Sequence, residues 1–575
     1  MISVERSLYE KFPRLAEGNA RRISQPMVDL LRRVICEARV NGILSAYGEH
    51  RGLDFIDHVL EHLQVSYSVA NTDRENIPVD GGVLIVANHP LGALDALTLL
   101  QLVGSVRRDV RILANDVLTR LEPLSPLLLP INVFGGGGGA AGGRSMREAY
   151  RALKNGEALI AFPAGEVSRI RPNGVRDCRW TSGFVRLARK TGTPVLPVHI
   201  SAHNSALFYG VSMLAKPLAT LLLARELFGA TRARIGFSVG ELVPVSSMSG
   251  GDETLDRVAA AMRRHVYQVA KRRPSTFTTS TAIAHPESPL AVRRALKQRG
   301  DVLGETTDGK RILLIDAQPD CPVMREIGRL RELAFRRVGE GTGTRRDLDS
   351  YDNYYQHLVL WDDEALALVG AYRLGDVGNI LKTRGIEGVY SASLFNYAPA
   401  AMEFLPDAVE LGRSFIQPAY WGSRSLDYLW QGIGAFLRHR PNVRWVLGPV
   451  SLSASLPLPV REMIVHTHGR FFGDPESLAT ARNPFRVSEN IARQADALLD
   501  GVDPRAALSI LKQQLAVSDT AIPTLYRQYV DLCEPDGVRF LAFGVDPQFG
   551  GCVDGLIRLD LSRLKPAKRA RYLNG

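Results

Sequence analysis

The 575-residue chain has only five cysteines, Cys36, Cys178, Cys321, Cys533 and Cys552, and no C-x-x-C pair among them. An odd, scattered set of thiols argues against a disulfide framework and against a thiolate zinc site, and it fits a reducing cytosol. No metal site is expected. No apolar run reaches the roughly 18 residues that would suggest a spanning helix. The opening stretch, MISVERSLYEKFPRL, lacks the apolar core of a secretory signal. Long basic tracts, zinc-finger spacings and aromatic RNA-binding motifs are missing too, so no nucleic-acid partner is expected. There is no internal repeat, and no low-complexity tract long enough for extensive disorder.

What is present is a globular composition, 45% hydrophobic and 23% charged, with a net charge of +11. A chain of this length exceeds one ordinary core, so two large or three smaller domains are expected. The basic balance suits an acidic partner, such as anionic lipid headgroups or an acidic carrier protein, or else it is an unspecialised basic surface. Residues 1–75 read as a helical extension, with apolar residues three and four apart in MVDLLRRVICEARV and FIDHVLEHLQ. From residue 83, short apolar runs alternate with helical stretches: VLIVAN, VRILAN, ALIAFPAG, TPVLPVHI and ARIGFSVG. That alternation predicts an α/β domain over 76–272 with a largely parallel sheet.

Residues 273–308, rich in Ser, Thr, Pro and Gly, read as a linker. Beyond them, RILLID, HLVLWD, ALVGAYRL, AVELGRSFI and VRWVLGPV predict strands, and RSLDYLWQGIGAFLRHR a helix, of a second, more strand-rich α/β domain over 309–575. The fold class is thus two α/β domains. The stretch 211–229, VSMLAKPLATLLLARELFG, is interrupted by Lys216, Pro217, Arg225 and Glu226. It reads either as an interfacial helix with snorkelling basic residues or as an ordinary buried helix.

In VANHPLGALDAL, His89 follows a strand and Asp95 opens the next helix, a place where ligand sites concentrate in α/β sheets. The chemistry available to such a pair is general-base attack by a hydroxyl, with His89 as base and Asp95 orienting the imidazole and stabilising its cation. IAFPAGEVSR then supplies Glu166, Ser168 and Arg169 at a second turn, and TPVLPVHI a late strand. Over roughly residues 70–245 these motifs resemble the lysophosphatidate acyltransferase-like family. The resemblance implies that His89 and Asp95 are catalytic and that Glu166, Ser168 and Arg169 bind substrate. Five residues separate His89 and Asp95 where the family has four, and Ala164 stands at the family's Glu with Glu166 at its Thr. The Gly-rich stretch 127–143 offers no Arg before Arg144, so a non-phosphate acceptor is expected, with Arg144 or Arg169 as the possible substitutes.

In the second half, RRDLDSYDNYYQHLVLWD, LVGAYRL and VELGRSFI resemble the acyl-homoserine-lactone synthase branch of the GNAT acyltransferases. The resemblance implies Glu410 as base, with Asp349, Asp352, Arg373 and Arg413 binding an amino acid or organising one another. His357 reads as structural, and Trp421 and Trp430 as core. Gly422 and Ser423 precede a helix where a pantetheine phosphate could sit. Because the full Gly-rich loop is missing, an acyl carrier protein is expected as donor, with no bound cofactor.

IPTLYRQYVDLC and the segment from FGVDPQFGG onward extend the likeness to ornithine acyltransferases. Together the halves resemble bifunctional ornithine lipid synthases. The resemblance implies N-acylation of ornithine by the second domain and O-acylation of lyso-ornithine lipid by the first. The expected setting is the inner face of the cytoplasmic membrane, with peripheral attachment. The alternatives are a glycine or glutamine lipid or a lysophospholipid as acceptor, or an inactive membrane-surface or carrier-binding module.

Overall fold

A computed structural model of the chain describes residues 2–12, 18–115, 121–131, 140–172, 174–214, 216–229, 234–248, 254–316, 318 and 320–573. It divides into two compact units, Met1–Ala282 and Ile283–Gly575. The division falls inside 273–308, but that stretch is not connector throughout. Pro289 sits in the first turn of a helix, Pro289–Arg299, that buries Val292 and Leu296, and Asp301–Glu305 is a strand. Basic residues around one i, i+4 apolar pair hid this helix from a compositional reading.

In the first unit the expected helices form at Val4–Lys11, Gly18–Val34, Glu37–Tyr47 and Gly52–His62. The helical reading of residues 1–75 is interrupted by a strand, Ser66–Val69, before a short helix at Asn71–Arg74. The strands are β1 (Ser66–Val69), β2 (Val83–Ala87), β3 (Val110–Asn115), β4 (Leu128–Ile131), β5 (Ala158–Ala161), β6 (Arg169–Arg171), β7 (Gly174–Arg176), β8 (Val195–Ser201) and β9 (Arg234–Val239). Seven of them form a sheet in the order β1-β9-β8-β2-β5-β3-β4, while β6 and β7 pair separately. Neighbours in the large sheet run parallel except β8 and β9. Every residue of the central strand β2 is buried, which is why VLIVA carries no polar alternation. The stretch 211–229 falls on two helices, Ala206–Leu214 and Lys216–Gly229, with Pro217 in the first turn of the second. Among the described residues no helix is long and apolar enough to cross a membrane.

The second unit contains β10 (Asp301–Glu305), β11 (Arg311–Asp316), β12 (Gln356–Asp362), β13 (Ala367–Asp376), β14 (Phe395–Tyr397), β15 (Ala408–Ile416), β16 (Trp445–Leu452), β17 (Ala479–Ala481), β18 (Val538–Asp546) and β19 (Cys552–Asp560). Eight form a sheet in the order β10-β11-β12-β13-β15-β16-β19-β18. All pairs are antiparallel except β15 with β16, which pair only over Ala408–Glu410 and Trp445–Leu447. Past that point the two strands part. At the fork, a Cβ on Gly448 would lie 2.1 Å from the Leu411 carbonyl oxygen, so only glycine fits. On the far side, Arg413 and Ser414 together face Tyr372 across β13, a bulge that places Arg413 at φ 47°. Fork and bulge together open a wedge in the sheet.

Candidate functional site

The first site lies at the carboxyl end of β2. Asn88 clamps that end to β8: its side-chain amide donates to the Ile200 carbonyl (2.9 Å) and accepts from the Ile200 N–H (2.7 Å). The His89 carbonyl accepts from the Ser168 N–H at 2.7 Å, and Asn204 donates to the Pro90 carbonyl at 2.9 Å. The main chain is therefore held on both sides of the imidazole. Gly92, at φ 90°, caps helix Ala93–Gly104. A side chain there would strain the backbone. The Asp95 carboxylate folds back to accept from the N–H groups of Leu91 (2.7 Å) and Gly92 (3.1 Å).

This capping geometry brings Asp95 Oδ2 to 3.1 Å from His89 Nδ1, so the longer turn still joins the pair. Asp95 is fully buried while the His89 side chain is 18% exposed. The imidazole stacks on Phe162 with ring centres 4.1 Å apart. Nδ1 lies beside the carboxylate without a well-aligned hydrogen bond, and a small ring rotation would align it and leave Nε2 to accept a proton, as an oriented general base requires.

The three residues of the second motif have different roles. Arg169 bonds Ser212 and lies 3.3 Å from Glu166, and both charged groups are partly exposed. Ser168 is buried, and its hydroxyl donates to Asp177. It therefore faces the protein and not a substrate. Asp177 also accepts from the His89 N–H (3.2 Å) and from Trp180 Nε1 (2.7 Å). Burial pushes its carboxyl upward, against the hydrogen bonds from Ser168 and Trp180. The sequence reading missed Asp177, because RDCRW carries no motif and only the fold brings it beneath His89. The glycine run lies largely outside the described residues, at 132–139, as does the side chain of Arg144.

In the second unit, most of the expected site turns inward. Glu410 is buried, and its carboxylate accepts from the N–H groups of Tyr390 (3.0 Å) and Ser391 (2.7 Å) and from the Tyr355 hydroxyl. It pins the 390–391 turn to the sheet and does not line the cavity in the fork. Arg373 is also buried; it donates to Asp349 at 2.6 Å and is ringed by Tyr351, Tyr355 and Tyr390. Asp352 pairs with Arg331 at 2.8 Å. Burial opposes ionisation of Asp352, but Arg331 and Arg373 outweigh it and hold the carboxyl well below the usual range. Asp352 and Arg373 are thus a buried scaffold, with Asp349 at its partly exposed edge. His357 is buried beside Arg331, and desolvation followed by that guanidinium lowers it to about 3, so it is a neutral core histidine.

Arg413 is the member of the set that lines a cavity, one of 720 Å³ in the fork, walled by Ser414, Phe415 and Ile416 of β15 and by Pro449, Val450 and Ser451 of β16. Gly422, Ser423 and Ser425 line it at the start of helix Ser425–Arg438. Trp430 is buried as expected, but Trp421 is 48% exposed and lines the cavity. Two carboxyl groups that sequence reasoning missed also line it, Glu340 and Asp554. Burial pushes Glu340 up to about 7 and Asp554 up to about 8, the latter also through Asp546 and Glu340 itself.

Residues 6–267 match the family described as "Acyltransferase", and residues 330–431 match "Acetyltransferase (GNAT) domain". A glycine N(alpha)-acyltransferase of Phocaeicola vulgatus is 32% identical over 275 residues, 46% of this chain and 83% of the relative. The chain belongs to the lipid acyltransferases. A second relative in this group, a lyso-glycine lipid O-acyltransferase of Bacteroides thetaiotaomicron, is 31% identical over 252 residues, 42% of this lipid acyltransferase and 89% of the relative. An L-ornithine N(alpha)-acyltransferase of Agrobacterium fabrum is 33% identical over 118 residues, 19% of this chain and 39% of the relative.

Proposed function

We propose that this lipid acyltransferase builds an amino-acid lipid in two steps. The second unit transfers a 3-hydroxyacyl group from acyl carrier protein to the α-amine of ornithine. The first unit then esterifies the 3-hydroxyl of the lyso-ornithine lipid. The observation that carries this reading is that relatives named for N-acylation and for O-acylation of such lipids both match this one chain. In the first unit, His89 Nε2 takes the hydroxyl proton as the oxygen attacks the thioester carbon. Asp95 stabilises the imidazolium, and the departing thiolate takes the proton back. Glu166 and Arg169 contact the acceptor, which carries no phosphate. In the second unit the start of helix Ser425–Arg438 receives the carrier's pantetheine arm.

The net charge of +11 supports acyl carrier protein and an anionic membrane face as partners, with the enzyme held peripherally at the cytoplasmic side. A second reading, glycine as the acylated amino acid, is favoured by the longer match to glycine N-acyltransferase. Expression in a host that makes no amino-acid lipids, followed by lipid mass spectrometry, separates the two. Ornithine lipid supports the first reading, glycine lipid the second, and neither product refutes both.

A further inference from the structure

Glu340 and Asp554 share the cavity in the fork, and the structure puts effort into holding them there. Glu340 follows helix Pro322–Arg337 on a loop whose Val338 carbonyl accepts from the hydroxyls of Ser453 (2.6 Å) and Ser455 (3.3 Å). Gly339, at φ 79°, admits no side chain, since a Cβ would meet Ser455 at 2.9 Å. Gly550 packs against the same loop, its Cβ position lying 3.1 Å from the Gly339 carbonyl oxygen. Asp554 projects from β19, where it is the cross-strand partner of Ser451 on β16. Ser451 favours the ionised form of the Glu340 carboxyl, offsetting part of the cost of its burial. One serine thus sets the two acids at the same level of the wedge.

Among the described residues neither acid forms an ion pair. The nearby guanidinium of Arg413 is already matched by Asp347 at 3.5 Å and Asp349 at 3.6 Å. Two desolvated carboxyl groups, sharing a cavity with one guanidinium that already faces two other acids, make a site for a ligand cation.

We propose that Glu340 and Asp554, and not Glu410, bind the substrate's ammonium group and take its proton in N-acyl transfer. This rests on the reading that the second unit N-acylates an amino acid. The ammonium gives one proton to the carboxylate pair, and the freed nitrogen lone pair forms the C–N bond at the thioester carbonyl. The tetrahedral intermediate collapses with cleavage of the C–S bond. The nitrogen's second departing proton goes to the thiolate, and the carboxyl proton passes to water. The upward shift of both acids, driven by burial, makes them proton acceptors matched to a neutral operating pH. Asp546, Arg413, Tyr390, Tyr526 and Cys552 surround the pair and enter its titration.

The test compares the full-length enzyme with Glu340→Gln and Asp554→Asn. N-acylation of ornithine and of glycine by an acyl-carrier thioester is measured from pH 5.5 to pH 9, and ornithine binding is measured by calorimetry. Each variant is expected to lose roughly 10²–10³-fold in kcat/KM and the acid limb of the wild-type profile, with its melting temperature kept. The double variant is expected to bind ornithine more weakly. Both variants within threefold of wild type, with the acid limb unmoved, would overturn the assignment. A wild-type chain that acylates no amino acid refutes the N-acylation reading itself, and the assignment falls with it.

Discussion

Replacing Asp95 by Asn separates the two things this carboxylate does. Its Oδ2 caps the turn through the Leu91 and Gly92 N–H groups and lies 3.1 Å from His89 Nδ1. An Asn oxygen can keep both backbone bonds, so Asp95→Asn is expected to fold and melt close to wild type. What it loses is the negative charge beside a forming imidazolium. A charge-assisted bond contributes about 1.5–3 kcal/mol, and each 1.4 kcal/mol of barrier is about tenfold in rate. Mispositioning of the tautomer adds to that, so the O-acylation rate should fall roughly 10²–10⁴-fold.

Asp95→Ala goes further, removing the acceptor from two buried N–H groups at about 1–3 kcal/mol each. It should lower the melting temperature as well as the rate. The assay is esterification of a synthetic N-(3-hydroxyacyl) amino acid by an acyl thioester, with thermal melts in parallel. Asp95→Asn retaining activity within threefold of wild type would refute the role of the pair.

Glu410→Gln is expected to destabilise the second unit by about 1–3 kcal/mol through the 390–391 turn while leaving the acid limb of N-acylation in place; denaturant unfolding and the pH profile together check this. Asp177→Asn should slow O-acylation by loosening the His89 main chain, with N-acylation unaffected, as parallel assays of the two reactions would record. Gly92→Ala forces a Cβ onto a backbone at φ 90°, within 3.5 Å of Leu223 and Val167, and should cost about 1–3 kcal/mol in denaturant unfolding.

Because Asp554 and Glu340 are raised, the folded chain holds protons that the unfolded chain releases. Their contribution to stability is complete below the ordinary carboxyl range and is lost as pH climbs through about 7 to 8. Denaturation of Asp554→Asn against wild type at pH 6 and pH 9 should show the variant gaining relative stability at the higher pH.

The sequence by itself determined the α/β class, a change of domain somewhere within 273–308, and the closeness of His89 and Asp95 in the chain. Each of these is local: an apolar run makes a buried strand, and the carboxylate in the next helix's first turn reaches back only a few residues. The hairpin of β18 and β19 was less legible, because β19 joins the sheet through β16, about a hundred residues earlier, and β18 is an edge strand that pairs only with β19.

Which charged residues face open space was decided only by the tertiary structure. Glu410 and Arg373 sit in a conspicuous linear pattern, yet side chains alternate across a strand and Tyr355 and Tyr390 pack over these two. Glu340, Asp554 and Asp177 carry no motif. Glu340 and Asp554 became candidates because a forked sheet and a glycine-fitted loop gather them around one cavity of the second unit, and Asp177 because the first unit's fold sets it against the His89 main chain; burial is what sets the chemistry of each.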